Sequence, residues 1–264
     1  MTSQPLSTNA TLAARIHAVA ERAGLGAQRS IHRAAPPSLW RIAKFALPFI
    51  ALGALAIYLY LYGPEGSFWV MGLFLMTPWL ACGAVVVTLG YRRLTYGSKS
   101  RLDLFDHGVV HCLRGQPRAV RYDATRLFER TQPRRHSTTG EKVVTLTLTG
   151  SDGDEIEVTE MYEGQRAWAP AIRAAVLVSQ LPTALATIES GRRVEFGDLW
   201  LTATEVGDRK KRVPIAELTA TSVILDDILF IEAGRRKLNG SVISKTPNYV
   251  VFRALLNHLH GGPI

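Results

Sequence analysis

Apolar residues in this chain are concentrated in two long uncharged stretches, residues 45–64 and 66–91, which a single acidic residue separates. An α-helix rises about 1.5 Å per residue, so about 20 apolar residues are needed to cross the ~30 Å hydrocarbon core of a bilayer. Both stretches reach that length. The pattern therefore predicts two transmembrane helices, at about 45–62 and 68–91, which together form a hairpin within residues 41–93.

Basic residues flank both predicted spans, whereas the connecting turn carries none. They are Arg15, Arg22, Arg29, Arg33, Arg41 and Lys44 before the first span, and Arg92, Arg93, Lys99 and Arg101 after the second. By the positive-inside rule this distribution places both termini in the cytoplasm, as expected for a multi-pass protein of a bacterial plasma membrane. Contact with anionic lipid accounts for the net charge of +9, so no nucleic-acid partner is expected.

The second predicted span carries small residues on one helical face, namely Thr77, Ala81, Ala84 and Thr88. Small residues let two helix backbones approach closely inside a membrane, where lipid supplies no hydrophobic drive for association. This face is predicted to pack on the first span, and a homodimer seam is the alternative. Neither span contains an ionisable residue, which argues against a transporter.

The first 40 residues form a small, polar and basic segment with one helical pattern. Leu12, Ile16, Val19 and Ala23 recur at spacings of three and four residues, as on one face of a helix. Two interpretations follow: an amphipathic helix that lies on the inner leaflet, or a solvated arm.

Beyond residue 98 the periodicity changes to that of short strands. The segment Val143–Leu148 alternates, and the polar residues 150–154 predict a hairpin turn after it. A strand-rich stretch that ends in a helix occurs twice, in residues 98–190 and again in residues 191–260. We therefore expect two small β modules, each closed by a helix, which a divergent duplication would explain. One continuous sheet over 98–260 is the alternative.

Short motifs within these modules suggest a family. They are the segment Leu104–Val110, the step Arg121–Asp123, the turn Phe196–Leu199 and the helix start Pro247–Tyr249. With the apolar hairpin ahead of them, they resemble uncharacterised actinobacterial two-span membrane proteins that carry a cytoplasmic pleckstrin-homology-like (PH-like) region. The resemblance implies a curved antiparallel sheet capped by a helix, used as a binding scaffold. The expected fold class is thus an α+β membrane protein with a transmembrane hairpin and one or two PH-like modules.

Motifs for catalysis and metal binding are not found in the sequence. There is no phosphate-binding loop, no nucleophile elbow and no paired-cysteine motif. His107 and His111 form an incomplete ligand set, and exposed strand histidines are the simpler interpretation. We therefore expect no catalytic residue, no metal and no cofactor.

Basic clusters in turns are the candidate binding residues. Arg and Lys side chains hold phosphate-bearing groups through charge-assisted hydrogen bonds. The candidates for contact with anionic phospholipid or an acidic partner are Arg134 and Arg135 in a long loop, and Arg209, Lys210, Lys211 and Arg212 at a hairpin tip. Solvated surface decoration is the alternative for both clusters.

These patterns predict a membrane-tethered cytoplasmic module that recruits an unknown protein partner or contacts anionic lipid, without catalysis. Two alternatives stay open. One is an enzyme, or an accessory subunit of an enzyme, of membrane lipid or envelope metabolism. The other is a structural protein that oligomerises in the membrane.

Overall fold

The structure is a computed structural model that describes residues 8–35, 39–62, 79–91, 93, 99–133, 141–234 and 236–262. Its elements form an α+β fold with four small antiparallel sheets. The chain divides into two compact units. Unit 1 consists of Met1–His32 together with Arg101–Ile264, and unit 2 is Arg33–Ser100.

The first sheet of unit 1 has four strands in the order β1-β2-β3-β4. They are β1 (Gln28–Arg33), β2 (Arg101–Phe105), β3 (Gly108–Leu113) and β4 (Gln116–Arg121). The turn between β3 and β4 places Arg114 at φ 53° and Gly115 at φ 81°. Two left-handed residues are the geometry of the two-residue hairpin turn that matches strand twist.

Helix α1 (Thr8–Arg22) packs its apolar face on this sheet. One cluster joins Leu12, Ile16, Ala20 and Leu25 to Phe105, Val110 and Cys112, and all seven side chains are buried. The three- and four-residue spacing seen in the sequence is thus satisfied inside unit 1. This placement differs from both sequence interpretations, because α1 is a core element rather than an interfacial helix or a solvated arm.

The second sheet has the order β5-β6-β7 and is followed by a long helix. The elements are β5 (Arg126–Pro133), β6 (Lys142–Thr149), β7 (Glu155–Val158) and α4 (Gln165–Glu189). Trp168, Ile172 and Val176 of α4 are buried at spacings of four residues, so this face packs into unit 1.

Two further sheets and the last helix complete unit 1. The third sheet contains β8 (Val194–Phe196), β9 (Leu199–Leu201), β10 (Glu205–Gly207) and β11 (Arg212–Pro214), and the fourth contains β12 (Leu218–Ile224), β13 (Ile228–Ala233) and β14 (Arg236–Val242). Helix α5 (Tyr249–His260) follows, and Phe252 meets Phe196 edge to face with ring centroids 5.4 Å apart.

Asn248 links the end of the chain to the second sheet. Its backbone N–H donates to the Leu127 carbonyl, and the Leu127 N–H donates to Asn248 Oδ1, both at 2.7 Å. The predicted module boundary near residue 190 therefore lies inside a single unit, because residues on both sides of it share hydrogen bonds.

Unit 2 contains two helices, α2 (Leu39–Tyr62) and α3 (Trp79–Tyr91). Phe49 stacks on Trp79 with ring centroids 4.9 Å apart. A Cβ added at Gly83 would lie 2.8 Å from Phe49, so the aromatic ring rests on a position that only glycine leaves open. Helices α2 and α3 therefore contact each other through stacked aromatic rings, one of which lies over a glycine.

The expected fold class is wrong in its membrane part, since no two-helix transmembrane hairpin is evident among the described residues. By length and composition, the single helix there that could cross a membrane is α4, with a mean hydropathy of 1.4. The apolar parts of α2 and α3 are Ile42–Tyr58 and Trp79–Tyr91. At about 1.5 Å per residue both are shorter than the ~30 Å hydrocarbon core.

The second predicted span and the predicted PH-like modules also differ from the expected fold class or lie partly outside the described residues. Residues 63–78, which include the start of the predicted second span, lie outside the described residues. The expected PH-like modules are replaced by four separate sheets of three or four strands. The correction has a physical cause, because alternation along a strand shows which side is buried but not how sheets are divided.

Candidate functional site

The basic hairpin tip predicted from the sequence is the turn between β10 and β11. Asp208 Oδ1 accepts hydrogen bonds from the backbone N–H groups of Lys210 and Lys211, both at 2.7 Å. An aspartate that binds the backbone two and three residues ahead stabilises a tight turn. The turn therefore holds the four exposed basic side chains, from Arg209 to Arg212, at a defined place.

Two of these four basic side chains are paired with carboxylates. Arg209 Nη2 lies 2.7 Å from Asp198 Oδ1, and Arg212 Nη1 lies 3.4 Å from Glu205 Oε2. Within the described residues, no ion pair involves Lys210 or Lys211. The two lysines are therefore the cations of this turn that remain available to an anionic ligand.

An aromatic side chain supports the basic turn. Trp200 of β9 donates from Nε1 to the Asp208 carbonyl at 3.0 Å, and the Arg193 guanidinium lies 5.4 Å from the centre of its ring. Gly207 pairs with Trp200 across the sheet, and a Cβ there would lie 2.3 Å from the indole. Glycine at this position is thus required for the indole to lie flat on the sheet.

The remaining predicted binding residues are not brought to this turn. Arg134 and Arg135 lie outside the described residues. In α3, Ala81, Ala84 and Thr88 are exposed, and the Thr88 hydroxyl donates to the Ala84 carbonyl at 2.7 Å.

The contact seen between α2 and α3 involves Trp79 and Gly83, since Phe49 stacks on Trp79 and lies over Gly83. The packing role of the predicted small-residue face stays a prediction. Thr77, the fourth residue of the predicted face, is outside the described residues.

A buried histidine–tyrosine pair is the feature that sequence reasoning missed. His111 Nε2 and the Tyr162 hydroxyl are both buried, and neither has a hydrogen-bond partner among the described residues. Their rings meet nearly perpendicular, with centroids 5.6 Å apart. The sequence expectation of two exposed strand histidines is wrong, because His107 is exposed but lies in the turn between β2 and β3, and His111 lies in β3 but is buried. The available signal was that apolar residues surround His111 in β3.

Burial shifts the pKa values of His111 and Tyr162 in the directions that keep both side chains uncharged. It lowers the pKa of His111 to about 4, and the positive charge of Arg118 acts in the same direction. Burial also raises the pKa of Tyr162 above its usual value. Both groups are therefore neutral at pH 7, and the pair presents an uncharged polar contact inside the core.

A buried ion pair lies at the junction of β1 and β2. Asp103 is fully buried. Arg101 donates to its carboxylate from Nε to Oδ2 at 2.7 Å and from Nη2 to Oδ1 at 2.6 Å. The side-chain amide of Gln28 also donates to Asp103. A buried carboxylate needs such partners, so this group is structural. In the part of the chain that the structure describes, no cluster of metal-binding side chains occurs.

Unit 2 exposes many large apolar side chains. They are Trp40, Phe45, Leu47, Ile50, Leu55, Ile57, Tyr58 and Tyr62 of α2, and Leu80, Val87 and Tyr91 of α3. Val87, for example, keeps 70% of its surface exposed. Contiguous apolar surfaces of this kind mark contact with a membrane or another protein.

These features define a class of protein: an α+β protein with an exposed apolar unit and a basic turn. Residues 12–261 match the family of unknown function DUF6585, so the chain belongs to that family. No curated protein and no solved structure matches it.

Proposed function

We propose that the protein is a membrane-associated binding module without catalytic activity. Unit 2 supplies attachment to the membrane, and unit 1 presents the surface that binds an acidic protein partner or anionic lipid. The observation that carries the proposal is the exposed apolar surface of α2 and α3.

Unit 2 exposes more apolar surface than is usual for a protein surface that contacts only water. Soluble proteins expose large apolar side chains singly, whereas here they recur along two helices that already contact each other through Phe49 and Trp79. At the start of α2, the Lys44 ammonium lies 5.8 Å from the centre of the Trp40 ring. Tryptophan and lysine at the end of an apolar helix are typical of the membrane–water interface.

The place of unit 2 in the chain supports a separate role for it. It is inserted between β1 and β2, which are neighbours in one sheet. Its two ends meet, since the Ala34 N–H donates to the Ser100 carbonyl at 3.3 Å. An insertion whose ends are adjacent leaves the host sheet intact, so unit 1 can keep its fold whatever unit 2 contacts.

The binding role of unit 1 is supported by the turn around Lys210 and Lys211. Two unpaired lysines beside a tryptophan form a small surface, which alone would bind weakly. Attachment to the membrane raises the effective concentration of such a surface towards ligands at the same membrane. Recruitment therefore needs no large interface.

The proposal is tested by flotation of the full chain with neutral phosphatidylcholine vesicles in high salt. Salt screens ionic attraction but not apolar contact, so the chain should float with the vesicles. In the matched control, a short Gly/Ser linker replaces residues 36–98, and this variant should stay with the soluble fraction. A full chain that is monodisperse without lipid or detergent, and that does not float, would refute the proposal.

A further inference from the structure

The hairpin between β12 and β13 ends in three consecutive exposed apolar residues. Val223, Ile224 and Leu225 expose 46%, 49% and 82% of their surfaces. Because both faces of the strand end are exposed, these side chains project beyond the sheet. We call residues 223–226 the apolar tip.

The backbone of the apolar tip is held in an unfavourable conformation. Leu225 and Asp226 have φ values of 54° and 61°, and the Asp227 N–H donates to the Ile224 carbonyl at 3.3 Å. Residues 225–227 form a three-residue hairpin loop, and the two left-handed positions at the centre of its tight turn favour Asn and Gly. A left-handed conformation is unfavourable for leucine because its Cβ approaches the carbonyl oxygen, so an apolar side chain is kept here against the preference of the turn. Outliers of this kind are concentrated at functional sites.

The base of the apolar tip is fixed on two sides. Lys142 Nζ of β6 lies 2.6 Å from Asp226 Oδ1. The Asp227 carboxylate accepts from the Ser244 N–H at 2.7 Å and from the Ser244 hydroxyl at 2.8 Å. The tip therefore presents its apolar side chains without having to become ordered on binding, which favours association.

We propose that the apolar tip is a second membrane contact, through which Val223, Ile224 and Leu225 enter the interfacial region of a bilayer. This inference rests on the proposed membrane association. Three side chains offer far less than the ~800 Å² per partner of a stable protein interface. A bilayer has no such minimum, because each inserted side chain gains its transfer free energy separately. Since Lys142 compensates the charge of Asp226, the contact should not require anionic lipid.

The test uses the full chain on phosphatidylcholine vesicles, with a fluorescent label that responds to apolar surroundings. Cys82→Ala removes the accessible thiol, and Cys112 is buried, so Leu225→Cys provides the labelling site. The matched control is Asp152→Cys, in the exposed turn after β6. Lys142 begins β6 and Thr149 ends it, so this turn lies at the opposite end of the strand from the apolar tip, on the order of 20 Å away.

We expect the label at residue 225 to increase in emission several-fold on vesicles and to be quenched by nitroxide lipids, while the label at 152 stays unchanged. If the chain floats with vesicles but the label at 225 behaves like that at 152, the apolar tip is not a membrane contact and the proposed attachment survives. If the chain does not float, both are refuted. A label at Ile224 guards against perturbation of the turn, and it must show the same response.

Discussion

The side-chain amide of Asn248 donates to Gln180 Oε1 at 2.7 Å, which joins the residue before α5 to the middle of α4. Gln180 in turn donates from Nε2 to the carbonyls of Tyr122 and Thr125, at 2.6 and 2.9 Å. Asn248 itself has φ 52°, a conformation that asparagine tolerates better than most residues. The two amides therefore bind both halves of unit 1 together.

Asn248→Ala should destabilise unit 1 strongly. The substitution leaves the Leu127 N–H without its acceptor and Gln180 Oε1 without its donor, and it places alanine in a left-handed conformation. Unsatisfied buried groups cost about 1–3 kcal/mol and the backbone about 1–2 kcal/mol, so we expect a loss of about 2–5 kcal/mol. Urea unfolding followed by near-UV circular dichroism measures it.

Asn248→Gly is the matched control for the backbone contribution. It removes the same hydrogen bonds but adopts φ 52° without strain, so it should be more stable than Asn248→Ala. A midpoint for Asn248→Ala equal to that of the native chain would show that the two amides do not stabilise the fold.

Stability should fall in mild acid because of His111. Its pKa is about 4 in the folded protein, against 6.5 for an ordinary histidine, so the unfolded chain binds the proton more tightly. The free energy of unfolding therefore does not depend on the titration of His111 above about pH 6.5, and it decreases as the pH falls from 6.5 towards 4. The difference of roughly 2.5 units corresponds to about 3 kcal/mol.

His111→Phe should remove this part of the pH dependence. It keeps an aromatic ring against Tyr162 and deletes both the titration and the unpartnered nitrogen. Thermal unfolding between pH 4 and pH 7 measures the difference from the native chain. The exposed His107→Gln serves as the control, and a His111→Phe profile parallel to that of the native chain would contradict the assignment.

Asp103→Ala should be among the most damaging substitutions in the first sheet. It leaves the nearly buried guanidinium of Arg101 without its carboxylate, and breaking a buried ion pair in this way costs about 3–5 kcal/mol. The unfolding midpoint in urea measures the loss. The pair of Arg29 and Asp106 offers the control, since the Arg29 side chain is 72% exposed and Arg29→Ala should change the midpoint little. Equal effects of the two substitutions would count against a structural role for the buried pair.

Gly207→Ala should displace Trp200. The new Cβ would lie 2.3 Å from the indole and 2.8 Å from the Lys211 carbonyl, so either the ring or the turn has to move. Overpacking of this kind costs about 1–3 kcal/mol, and tryptophan fluorescence should report a more solvated indole. Gly262→Ala is the control, because no atom lies within 4 Å of the added Cβ. An unchanged emission spectrum in Gly207→Ala would refute the close packing.

The lysines and arginines of the basic turn should differ in their contribution to lipid binding. Changing Lys210 and Lys211 to serine should lower the ratio of anionic to neutral vesicle binding by about five-fold per residue, equivalent to about 1 kcal/mol each. Changing Arg209 and Arg212 to serine should have less effect, because both already pair with carboxylates. Co-sedimentation of the full chain measures both, and a larger effect of the arginine pair would contradict this view.

Single elements of this protein could be predicted well from the sequence. Alternation over Val143–Leu148 lies within β6, and polar residues 150–154 form the turn that follows it. The apolar spacing of Leu12 and Ile16 likewise lies in α1. Each of these signals depends on residues a few positions apart, whose side chains share a face whatever the rest of the chain does.

The candidate site was only partly predictable. The basic turn from Arg209 to Arg212 was found because its charges are consecutive. The ion pairs that neutralise two of those charges were not, since Asp198 and Glu205 become neighbours only through the sheet. The buried contact of His111 with Tyr162 was missed for the same reason.

The sequence by itself determined the local periodicity, the basic turn and the two apolar stretches of unit 2. The tertiary structure decided that α1 is a core element, that the two strand-rich halves form one unit through Asn248, and that Leu225 projects from a hairpin fixed by Lys142. The physical reason is that periodicity along a chain shows which side of an element avoids water. It does not show which distant residues cover that side, because this depends on contacts between positions as far apart as Leu127 and Asn248.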